Sequence, residues 1–301
     1  MDDLDFSVEI SKPVEIAAAD STQPTAQSAL YSPALALEFF RSAGTVEQRQ
    51  KHQPFFIENE KSDGLFSKGA RMYLLLDGEV GLMLNDKFFG IVKPGEIFGE
   101  LAVIAGLPRS ASAMAMTDCH VISLDKKQFQ AALQKTPGFA LMLMSIMVQR
   151  LRKSIAILSG KGHSSSGASG DKSSAFDRKM LDKLSDELKG QVPTSFDAGK
   201  VIVSAGAAAA LMYIVLEGNV AISIGNQVVE QLGPGGIFGE MALLDNAPRT
   251  ATATAMTDCA LLSIGRNDFL ELVEAKPDFS AALLNSIAVR MQHLTVLVST
   301  A

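Results

Sequence analysis

The 301-residue chain is 47% hydrophobic and carries a formal net charge of −6, enough apolar material for ordinary buried cores and, at roughly twice 150 residues, for two domains. No apolar run approaches the ~18 residues of a membrane span, and Met1, Asp2 and Asp3 open a segment without the basic and apolar regions of a signal peptide, so a cytoplasmic protein without a membrane partner is expected. The acidic balance lacks the basic surface that drives nucleic-acid binding, so DNA and RNA are not expected partners.

Residues 1–33 read as a disordered acidic tail, because Asp2, Asp3, Asp5, Glu9, Glu15 and Asp20 stand against Lys12 alone. A short helix is expected over 35–41. A first folded unit then occupies 34–158, a Gly/Ser-rich stretch at 159–174 reads as a flexible linker, and a second unit fills 175–301. Within each unit come short β-rich segments, of which Val80–Leu84 before Asn85-Asp86-Lys87 and Val220–Ile224 before Gly225-Asn226 are the clearest hairpin signals. Helices follow. Lys126–Lys135 and Arg266–Ala275 end near Pro137 and Pro277, and each precedes a longer apolar helix, over 139–158 and 279–298. Met144, Met147, Leu151, Ser154 and Leu158 recur at a/d spacing, as do Leu284, Ile287, Met291, Leu294 and Val298. Such seams suit either another helix or the helix's own barrel. The fold class is therefore α+β, mainly β: two small antiparallel barrels or jelly rolls, each with flanking helices and a long C-terminal helix.

The most informative feature is a duplication. Residues 94–119 and 234–259 lie 140 positions apart, and 16 of the 26 aligned residues are identical. Both copies hold Phe-Gly-Glu-(Leu/Met)-Ala and, nine residues after the Glu, the Arg of Pro-Arg-(Ser/Thr)-Ala. Gly99 and Gly239 allow a tight turn into a helix whose first amides favour an anion. Arg109 and Arg249 supply a planar fork of donors matched to phosphate oxygens. Glu100 and Glu240 would repel that phosphate, so they are expected at a hydroxyl, such as a ribose 2′-OH. A charged pair kept at one spacing in two largely apolar segments points to a shared ligand, since an unpaired charge there would cost several kcal/mol.

At these residues the chain resembles the cyclic nucleotide-binding domain family, whose phosphate-binding cassette has this pattern. Tyr73 with Gly78 and Tyr213 with Gly218 match upstream landmarks. The resemblance covers about 53–158 and 196–300 and implies two eight-stranded β-rolls. It implies ligand-binding residues Phe98, Gly99, Glu100, Leu101, Ala102, Arg109, Ser110 and Ala111 in the first, and Phe238, Gly239, Glu240, Met241, Ala242, Arg249, Thr250 and Ala251 in the second. Neither long helix carries an aromatic residue placed to cap a base. Each is therefore closer to the bacterial catabolite activator than to protein kinase A regulatory subunits, and Ser154 and Thr295 are the candidate hydroxyls for the base.

The implied activity is that of a cytoplasmic cyclic nucleotide receptor, with cAMP favoured over cGMP, that regulates a separate protein partner. No DNA-binding helix-turn-helix is expected after the second long helix, and the two seams are expected to pair within the chain or in a homodimer. A duplicated scaffold without ligand is the alternative. No cofactor, metal or catalysis is expected, because His52, His120, His163 and His293 are scattered and recur in neither copy. Cys119 and Cys259 fill equivalent positions and read as buried thiols. Arg150-Leu-Arg-Lys-Ser154 resembles a basophilic phosphorylation site and reads as the charged end of a helix. The first unit opens through 55–73 (FFIENEKSDGLFSKGARMY) without the usual glycine pattern, which marks its site as the weaker or altered one.

Overall fold

The computed structural model describes residues 30–61, 69–160, 175–187, 192–208 and 210–300. The acidic tail up to residue 29 and linker residues 161–174 lie outside the described residues.

The chain runs α1 (Pro33–Ala43), β1 (Thr45–Arg49), β2 (Pro54–Phe56), β3 (Arg71–Asp77), β4 (Val80–Leu84), β5 (Lys87–Val92), β6 (Ile97–Phe98), α2 (Glu100–Ala105), β7 (Ser112–Ala115), β8 (Cys119–Asp125), α3 (Lys126–Lys135) and α4 (Gly138–Gly160). The second half repeats this as α5 (Arg178–Glu187), β9 (Thr194–Phe196), β10 (Val201–Val203), β11 (Leu211–Glu217), β12 (Val220–Ile224), β13 (Gln227–Leu232), β14 (Ile237–Phe238), α6 (Glu240–Asp245), β15 (Thr252–Ala255), β16 (Cys259–Gly265), α7 (Arg266–Ala275) and α8 (Pro277–Thr300). Each half folds two four-stranded antiparallel sheets onto each other. The orders are β1-β8-β3-β6 with β2-β7-β4-β5, and β9-β16-β11-β14 with β10-β15-β12-β13.

Local chemistry accounts for the elements. The β4–β5 hairpin closes on Asn85 and Asp86, both in the left-handed region, where a two-residue turn matches the twist of its strands. Ser32 caps α1 by accepting from the Leu35 amide at 3.3 Å, and Asp125 with Gln128 forms a capping box on α3. Strands β7 and β15 alternate, with Ala113, Ala115, Ala253 and Ala255 buried and their neighbours half-buried. The irregular opening of the first half is also explained. By strand register His52 and Asn59 hold the places of Gly199 and Gly206, and all four have positive φ.

The long helices α4 and α8 pack against each other and join the two halves. Met144, Met147 and Leu151 of α4 and Leu284, Ile287, Met291 and Leu294 of α8 lie in one buried cluster that runs through both halves. The seams thus find their partner inside the chain. The expected linker start at 159 falls on α4, which Ser159 and Gly160 prolong. Among the described residues no single helix is long and apolar enough to cross a membrane.

Candidate functional site

Gly99 stands between β6 and α2 at φ +73°, and Gly239 between β14 and α6 at φ +86°. This left-handed turn needs glycine for conformation and for space. A Cβ on Gly99 would lie 2.9 Å from the Phe56 ring and 3.0 Å from Arg109 Nη1.

The turn carbonyl is what each buried arginine grips. Arg109 donates Nη1 to Gly99 O and Nη2 to Arg71 O, both at 2.9 Å. Arg249 repeats this with Gly239 O at 2.8 Å and with Leu211 O. Burial pulls both guanidinium pKa values below the ordinary arginine value, while Tyr73, Glu60 and Glu100 oppose this at Arg109, and Tyr213 and Glu240 at Arg249. A cation held mainly by carbonyl dipoles remains a strong anion attractor.

Glu100 and Glu240 are 3% and 1% exposed, and each has a partner that sequence reasoning did not single out. Arg150 of α4 meets Glu100 Oε1 at 2.6 Å and donates to Ile97 O at 2.8 Å. Arg290 of α8 meets Glu240 Oε1 at 2.6 Å, donates to Ile237 O, and also holds Glu230 at 2.9 Å. Burial lowers the Arg290 pKa, but Glu230 and Glu240 more than reverse this and leave it above the ordinary arginine value. The signal for this pair was available, because Arg150 and Arg290 recur at the same 140-residue offset as the cassettes. Arg150 is therefore not a solvated helix end. Neither is Arg152, which reaches the other half to pair with Asp245 through Nη2 at 2.9 Å and to donate to Pro248 O at 3.0 Å.

In the second half these groups surround a cavity of about 420 Å³. All eight residues expected there, 238–242 and 249–251, line it. Arg290, His293, Asn285 and Ser286 enter from α8, and Leu151, Arg152 and Ile155 of α4 form part of its wall, so both halves build this site. Ser154 and Thr295 are not among its lining residues. They turn back on their own helices, donating to Arg150 O at 3.3 Å and Met291 O at 2.8 Å.

In the first half Phe98, Gly99, Glu100, Arg109 and Ala111 adopt the same arrangement, with Leu101 and Ala102 in α2 and Ser110 half-buried after the arginine. The surroundings differ. Phe55, Phe56, Tyr73 and Phe98 form an aromatic cluster, and the Phe56 ring lies over Arg109 with its centroid 4.0 Å from the guanidinium carbon.

The cyclic nucleotide-binding domain model matches residues 53–136 and 193–276, more than half of the chain. The chain belongs to this family, with two tandem β-roll domains. It is 30% identical over 207 residues to the cAMP-dependent protein kinase regulatory subunit of Eremothecium gossypii, covering 68% of this chain and 40% of that protein. With the subunit of the same description from Yarrowia lipolytica it shares 29% identity over 208 residues, covering 68% and 50%. The chain thus spans half or less of these relatives' length, and both are regulatory rather than catalytic subunits. Among solved structures, the regulatory domain of Toxoplasma gondii protein kinase A with cAMP is 23% identical, with 81% of this chain and 86% of that chain covered and a TM-score of 0.28.

Proposed function

We propose that the chain is a non-catalytic cyclic nucleotide receptor of the cytoplasm, with cAMP favoured over cGMP, that regulates a protein partner. The observation that carries this reading is the 420 Å³ cavity with Arg249 and Glu240 on its wall. Arg249 takes the cyclic phosphate through the N–H groups that the carbonyls do not use. Glu240 accepts from the ribose hydroxyl beside its contact with Arg290, and the apolar wall of Val203, Ile222 and Val229 receives the base. The names of the curated relatives support cAMP as ligand and a kinase catalytic subunit as the class of partner. Buried, free Cys119 and Cys259 accord with a reducing compartment.

The response to ligand runs through helices. A ribose hydroxyl at Glu240 alters the carboxylate that anchors α8 through Arg290, and a base in the cavity meets Leu151 and Ile155 of α4. Ligand therefore interacts differently with alternative helix positions, which is what shifting a conformational equilibrium requires. Calorimetric titration of the full chain with cAMP and with cGMP tests the assignment. Saturable binding that is tighter for cAMP is the expected result. No binding of either nucleotide favours the ligand-free scaffold.

A further inference from the structure

We infer that the first β-roll takes no nucleotide: Phe56 is its built-in occupant, and the chain binds one cyclic nucleotide, in the second roll. This rests on the reading above that the second cassette is a nucleotide site.

Strand register makes the comparison between the halves residue by residue. Phe56 of β2 pairs with Ala113 of β7, and Val203 of β10 pairs with Ala253 of β15, so the two hold the same place in their rolls. In the second roll that place carries an isopropyl group on the wall of an open cavity. In the first it carries a phenyl ring, 6% exposed, whose face covers the Arg109 guanidinium and whose edge abuts the glycine turn. The ring is packed from the other side as well, with the Tyr73 and Phe98 rings each 6.2 Å from it, centroid to centroid. A phosphate approaching Arg109 would have to displace a cation–π contact and reopen a closed aromatic core.

The polar surroundings of the two rolls also differ. The backbone amide of Arg109 donates to Glu60 O, as that of Arg249 does to Ala207 O, both at 3.0 Å. The first roll thus has a glutamate where the second has an alanine, and the Glu60 carboxylate accepts from the Ile57 amide at 3.1 Å. On the helix side, Gly90 holds the position of Glu230, so Arg150 lacks the second carboxylate that Arg290 grips. The second roll is left as the part that responds.

The test is the binding stoichiometry of the full chain, titrated separately with cAMP and cGMP. One molecule per chain is expected, and Arg249→Ala should abolish it; two per chain, or one that survives Arg249→Ala, overturns the inference. Phe56→Val, which copies the second roll, should raise the number to two. Phe56→Leu serves the same purpose should the valine variant not fold. A variant that melts cooperatively yet still binds one molecule overturns the role of Phe56. Failure of the unmodified chain to bind either nucleotide is a separate outcome, which sinks the receptor reading itself.

Discussion

Each cassette arginine has two jobs that a single substitution separates only in part. Arg249→Ala removes the phosphate's cation, and about 3–5 kcal/mol of binding should go with it, a loss of two to three orders of magnitude or more. It also strips the donor from the half-buried carbonyls of Gly239 and Leu211, so the melting temperature should fall in the unliganded protein. Calorimetry and thermal denaturation together read the two effects, and unchanged affinity would reject the phosphate role. Glu240→Ala should lower affinity for the ribose nucleotide while leaving the 2′-deoxy analogue less affected. Equal losses for both would contradict the hydroxyl contact. At Cys119, burial pushes the thiol pKa above its ordinary value of 9.0, ahead of the hydrogen bonds that oppose it. The native state therefore holds this proton more tightly than the unfolded chain. The resulting stability is full below pH about 9 and is lost as pH rises through the folded value. Stability measured against pH should show this alkaline loss, and Cys119→Ala should diminish it.

At the level of elements, α8 is fastened to the second cassette by one cation between two carboxylates. Arg290→Met would leave Glu230 and Glu240 without their partner in a largely buried setting, with an expected cost of about 3–5 kcal/mol. Denaturant unfolding should show it as a lower midpoint at unchanged slope. What the sequence disclosed of this site was its local part. A glycine turn, a glutamate and an arginine nine residues on belong to one short stretch, and the helices α3 and α7 had legible ends because a cap or a proline marks them. Helices α4 and α8 outran their expected bounds by one or two residues at each end, where no stop signal intervenes. Contacts closed by the fold were hidden: Arg150 meets Glu100 across fifty positions, and Phe56 reaches Arg109 only through the pairing of β2 with β7. Composition marked the opening of the first roll as irregular. It did not reveal that a ring lies over the arginine.

For the molecule as a whole, pairing α4 with α8 consumes the apolar stripe that would otherwise seek a second chain. Light scattering should therefore give a particle near the 32.0 kDa chain mass, whereas a mass near twice that would mean that another surface associates. Limited proteolysis within the Gly/Ser-rich stretch should leave the two fragments bound to each other until denaturant separates them, because the shared core rather than the connecting peptide holds them. The contacts across this junction are also matched but not equal. Arg152 and Gln292 are equivalent residues, and they donate to the equivalent carbonyls of Pro248 and Pro108. Only one side adds a charge pair, because Asp245 faces Arg152 while Ala105 stands in its place opposite Gln292. Two copies of the first half would set both arginines against alanine, and two copies of the second would leave both aspartates facing glutamine. The junction is therefore asymmetric, its charge pair joining Arg152 of one half to Asp245 of the other.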